Sequence, residues 1–115
     1  MIVYKLTDSN FQTRGGTTWG PGITHELTHP GAGTGELCSK HWLHCYADPL
    51  LAVLMNPAHG NYSDPQLWES DAEGTIEQLP DKVGCTKLTT LRRVHAPVVT
   101  TDQRIWFAIL CAEAV

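Results

Sequence analysis

The chain has 115 residues, 42% of them hydrophobic and 17% charged, a balance that belongs to a folded globule and excludes a disordered chain. That length leaves room for one domain over residues 1–115, and a formal net charge of −4 with only eight Lys and Arg argues against a nucleic-acid binder, whose phosphate contacts need a basic excess. No apolar run approaches the roughly 20 residues that span a bilayer, so no membrane helix is expected.

Ile2 to Thr7 are rich in β-branched and aromatic residues and predict a first strand, which the turn-forming Asp8-Ser9-Asn10 stops. The same segment lacks the basic start and long apolar core of an export signal, so the expected location is the cytoplasm. There the four cysteines are expected as free, buried thiols. Phe11 to Arg14 fit a short second strand. Gly15 to Gly35 hold seven of the ten glycines and two prolines, which predicts a long loop interrupted by a strand at Ile23 to Leu27. Loops of this length in compact domains are usually functional or mobile.

His41 to Tyr46 read as a strand. Asp48-Pro49 then supply an N-cap and a proline at the first helical position, so Leu50 to Met55 begin a short buried helix that Asn56-Pro57 should end. Gln66 to Glu73 predict a strand ending at Gly74, and Lys82 to His95 a strand pair or one long strand. Thr100 and Gln103 stand at capping-box spacing before an unbroken apolar run, which predicts a helix continuing to Val115. Trp106, Phe107, Ile109 and Cys111 are expected to bury that helix against the sheet. Strands outnumber helices without alternating regularly with them. The fold class is therefore α+β, with a small mixed or antiparallel sheet, a short helix after the His44 strand and a C-terminal helix.

Six histidines and four cysteines raise the question of zinc. Cys38, His41, His44 and Cys45 are crowded together, but a second ligand pair would have to be His25 and His29 inside a glycine-rich loop, so no metal is expected. In a strand over 41–46, Trp42, His44 and Tyr46 share one face, a combination of aromatic bodies and polar tips that suits a pocket wall as well as a core. The loop from Arg14 to Gly22 adds a guanidinium, backbone donors and the Trp19 indole, and it could fold over a phosphate or a flat base. It matches no phosphate-loop or dinucleotide fingerprint. Asn56 and His59 follow the helix on a segment placed to return to the strand's end. No nucleophile elbow and no glycosidase carboxylate pair is visible.

At Leu37-Cys38, Trp42 to Tyr46, Asp48 to Ala52, Asn56-Pro57, His59, Leu67 to Glu69, Lys82 to Thr90, Gln103 to Ile105 and Phe107 to Ala112, the chain resembles an uncharacterised family of small bacteriophage and prophage proteins. The resemblance implies a protein made inside an infected bacterium and no particular activity. A second resemblance covers only Leu43 to Leu54, whose strand, polar turn and short Leu/Ala-rich helix look like part of small ADP-ribosyltransferase-like domains. In those domains the first strand supplies a histidine or arginine that grips the dinucleotide. Here it offers only Lys5 or, beyond it, Arg14, and His44 stands where a tyrosine is usual.

The leading expectation is a phage accessory protein that binds a small, nucleotide-like molecule without a cofactor, for instance to capture a host immune signal as a counter-defence. Trp42, His44 and Tyr46 would wall the pocket, with Arg14 and Trp19 closing it and Asn56 and His59 at its border. The first alternative is an enzyme that transfers or hydrolyses part of a dinucleotide there, with His44 as the catalytic group. The second is a protein that blocks a host protein through an exposed aromatic patch.

Overall fold

Strand-forming residues at the start and in the second half of the chain build one antiparallel sheet around which everything else is arranged. The computed structural model describes residues 1–113 and is α+β. In chain order it contains β1 (Ile2–Thr7), β2 (Gln12–Thr13), β3 (Thr17–Thr18), β4 (Ile23–Glu26), β5 (Leu43–Cys45), α1 (Pro49–His59), β6 (Gln66–Gln78), β7 (Val83–Val94) and α2 (Thr101–Glu113). The sheet runs β1-β6-β7-β4, with β5 also paired to β7, while β2 and β3 form a separate small hairpin.

Two residues turn this sheet into a ring. Tyr4 N–H donates to the Tyr46 carbonyl at 2.7 Å, and Tyr46 N–H returns to the Tyr4 carbonyl at 2.8 Å. Backbone pairing therefore passes from β1 through β6, β7 and β5 back to β1. The long strands β6 and β7 shift register at Glu69/Ser70 and again between Glu73 and Ile76, and such bulges bend a strand and increase its twist. Gly74, expected to end its strand, instead sits inside β6 at the second bulge with φ +77°, a conformation glycine adopts without strain. A Cβ there would also run into the Thr86 hydroxyl.

Side chains alternate across β1 and divide the interior in two. Val3, Lys5 and Thr7 face the inside of the ring, where Val3 packs with Trp19, Cys45, Ala72, Val83, Cys85 and Leu88. Tyr4 and Leu6 face the other way, and there Leu6, Tyr46, Ala52 and Leu67 form a second cluster under α1. Asp48 caps that helix, its Oδ1 accepting from Leu50 N–H at 2.8 Å and Leu51 N–H at 3.3 Å, and Pro49 occupies the first turn. The helix does not end at Asn56-Pro57. It continues through Pro57 to His59, because its last turn is fastened from outside: the Asn56 amide donates to the Tyr62 carbonyl and accepts from Tyr62 N–H, both at 3.0 Å.

The capping box of α2 forms as the spacing predicts, with Thr100 N–H donating to Gln103 Oε1 at 2.9 Å and Gln103 N–H to Thr100 Oγ1 at 3.1 Å. Its expected burial does not occur. None of the described residues of α2 is buried, Trp106 being 64% and Ile109 40% exposed, and Cys111 is exposed as well. The helix that packs on the sheet is α1, against β1, while Ile23, Ile76 and Leu91 of the sheet stay exposed beside an unburied α2. The expected run to Val115 falls, in its last two residues, outside the described residues. Among the described residues no helix is long and apolar enough to cross a membrane.

Candidate functional site

A cavity of about 550 Å³ opens beside β1 and β5, within the range typical of small-molecule sites. Arg14, Trp19, Trp42, His44, Tyr46 and His59 all line it. Asn56 does not, since its side chain is spent on holding Tyr62 to the end of α1.

Each wall has a local cause. Trp42 is 5% exposed and lies on Gly84 of β7, where a Cβ would stand 3.0 Å from its ring, and its indole N–H donates to the Gly35 carbonyl at 3.2 Å. Trp19, expected to contribute from the glycine-rich loop, lines the cavity from a fixed position. It is 2% exposed, with its indole N–H on Thr13 Oγ1 at 3.3 Å and its ring edge-on to His25, because the loop carrying it is pinned by Gly20 to Thr90. Arg14 stays exposed at the mouth, one guanidinium nitrogen 3.4 Å from the Gly60 carbonyl.

The histidines are individually engaged. His44 Nε2 hydrogen-bonds the Leu37 carbonyl, which leaves Nδ1 as the ring nitrogen free for acid–base work. His59 Nδ1 accepts from the Tyr46 hydroxyl at 2.7 Å, the two rings stack, and His59 Nε2 stands 3.7 Å from Asp81 Oδ2. Burial pushes the Tyr46 hydroxyl well above the usual tyrosine range and so keeps its proton on it. His25 is held by the Thr18 carbonyl, His29 and His41 pair with each other at 3.2 Å, and among the described residues no three His, Cys, Asp or Glu side chains converge as metal ligands.

Burial is also the main reason that both His44 and His59 lie below the ordinary histidine value of 6.5, favouring the neutral ring in the folded state. A folded pKa below the unfolded one means that the unfolded chain binds more protons in acid. The stabilisation is therefore complete above about 6.5 and is lost as pH falls through the lowered folded values. Urea midpoints should drop on the acid side of neutrality, and His44→Gln should flatten that drop. A midpoint that stays level between neutral and mildly acid pH would contradict the burial of these rings.

Sequence reasoning named Arg14 as a ligand contact and Lys5 only through a resemblance, and it missed Lys40, Lys82 and the clustering of the four. Lys5, Lys40 and Lys82 line the cavity with Arg14, so four of the chain's eight Lys and Arg are here, while none of its twelve Asp and Glu is among the lining residues. In a chain of net charge −4 this is a local reversal of sign. Tyr62, also unforeseen, adds a half-buried aromatic face. The signal available was weak, since Lys5 lies on an inward position of β1 only if the β1–β6 register is known. No protein-family model, curated protein or solved structure matches the chain.

Proposed function

We propose that the chain binds a small anionic, nucleotide-like molecule in this cavity. The observation that carries the reading is the concentration of Lys5, Arg14, Lys40 and Lys82 around aromatic walls, with no lining carboxylate among the described residues. Aromatic faces accept a flat base, and fixed cations on a partly desolvated surface favour phosphate or carboxylate. In an infected bacterium, the setting its resemblance implies, sequestering a signalling nucleotide is the use this reading assigns.

A second reading, turnover on the same ligand, is favoured by the Tyr46–His59 hydrogen bond, because a neutral imidazole at the cavity wall, with the Asp81 carboxylate 3.7 Å from its other nitrogen, is placed to exchange a proton with a ligand. It moves the candidate acid–base group from His44 to His59. Native mass spectrometry and calorimetry with a panel of mono-, di- and cyclic nucleotides test both readings. Retention of a ligand that is released unchanged on denaturation supports binding alone. Product that accumulates with time supports catalysis. If no member of the panel is retained or converted, both fail, and the exposed apolar residues of α2 make a protein partner the better reading.

A further inference from the structure

Lys5 is the one cation of the cavity that the sheet itself holds in place. It sits in the middle of β1, opposite Trp68 of β6, and projects into the ring beside Trp19, with its Nζ 5.5 Å from the centre of that indole. The amine donates to the His44 carbonyl oxygen at 2.6 Å. A lysine ammonium carries three N–H donors and needs partners for them in a low-dielectric setting. Here that backbone carbonyl is the acceptor, and among the described residues no carboxylate pairs with the amine. The titratable neighbours that influence it are the thiols of Cys45 and Cys85, which act to raise it: the Cys45 thiol is pushed far up by its hydrogen bond to Cys85 and by burial, and the Cys85 thiol is brought down chiefly by the same hydrogen bond. By accessible area Lys5 is half-buried, yet the atoms packed round the amine desolvate it enough to bring it below the ordinary lysine value. The other cavity lysines differ: Lys40 is exposed, and Lys82 donates to Cys38 Sγ at the surface.

We infer that the Lys5 amine is a covalent attachment point for a small anionic aldehyde or ketone, which it holds as an imine on the floor of the cavity. The neutral Nζ attacks the carbonyl carbon, and both of its hydrogens leave with the carbonyl oxygen as water when the C=N bond forms. No oxidant, reductant or second reactant is consumed. The ligand's carboxylate or phosphate meets Arg14 and Lys82 at the mouth, and the buried Trp19 ring limits the access of water to the imine. A lysine in such a pocket is a nucleophile at neutral pH because less of it is tied up as ammonium. The inference rests on the cavity being a ligand site, but not on the ligand being a nucleotide.

The test is reductive trapping on the full chain. Glyoxylate and pyridoxal 5′-phosphate, each with sodium cyanoborohydride at neutral pH, are followed by intact mass and peptide mapping. The expected lysine adduct is on Lys5, formed in preference to Lys40 and Lys82; each pKa unit by which a lysine amine is lowered gives about tenfold more free base at neutral pH. Urea-unfolded chain should lose the preference, and folded Lys5→Arg should lose the adduct. Mapping of the wild-type protein decides the matter even if that variant does not fold. Absence of any adduct, or labelling shared among the lysines as in the unfolded chain, overturns the inference. Nucleotide retention is measured separately without reductant. Retention with no Lys5 adduct removes the imine and leaves the binding reading standing, whereas a Lys5 adduct with no nucleotide retained does the reverse.

Discussion

Trp68→Ala should destabilise the protein by about 3–5 kcal/mol, a large part of the 5–15 kcal/mol that holds a typical domain together. Trp68 is 1% exposed on the inward face of β6. Its indole N–H donates to Thr7 Oγ1 at 3.0 Å, and the Phe11 ring meets it edge-on with centroids 4.9 Å apart. Removing the indole empties a space bounded by strands on either side, which cannot collapse without breaking the β1–β6 register, and it takes away the hydrogen bond that ties the end of β1 to its neighbour. Trp68→Phe keeps most of the packing and should cost less. Urea unfolding of the two variants measures both effects. A loss below about 1 kcal/mol for the alanine variant would mean that Trp68 is not inside the ring.

Lys82→Met should weaken binding of the anionic ligand by about 10- to 100-fold, since hydrogen bonds to charged groups contribute about 1.5–3 kcal/mol and each 1.4 kcal/mol is a factor of ten. Lys82 is suited to the experiment because it lies at the cavity wall just before β7 and outside both apolar clusters, so its loss leaves the core untouched. Arg104→Met, which removes the same charge from exposed α2, is the control for a general field effect. Calorimetry with whichever nucleotide the panel selects gives the two affinities. Equal losses in both variants would reduce the cavity cations to a diffuse charge effect, screened by added salt. An unchanged affinity in Lys82→Met would remove this residue from the site.

The parts of the fold that were legible in the sequence are those decided by neighbours in the chain. β1 ends at Thr7 because Asp8 turns the backbone, accepting from Asn10 and Gln12 N–H, and Asp48 and Thr100 cap their helices through side chains within three residues. What was not legible depended on distant partners. Pro57 reads as a helix stop until Tyr62 is seen to fasten the turn beyond it, and Gly74 reads as a strand end until β7 is seen to continue alongside. The apolar pattern of Ile105 to Ala112 predicts a helix correctly but says nothing about whether surface remains for it to cover. The candidate site divides in the same way. Trp42, His44 and Tyr46 reach the cavity together because they alternate along one short stretch, whereas Lys5 and Lys82 meet there only through pairing between strands from opposite ends of the sequence.

The ring closed by Tyr4 and Tyr46 also sets an order of assembly. β6 and β7 are consecutive in the chain, so their hairpin can form from local encounters, but β1, beyond its bridge to Tyr46, pairs along its whole length with β6, through residues such as Trp68, 61 positions beyond Thr7. On the ribosome the first strand therefore emerges long before its partner and waits, its inward face unshielded, until the hairpin arrives. Any molecule that occupies the finished cavity binds the closed ring and not its precursors, so it acts as a clasp for the whole chain and draws late-folding copies toward completion.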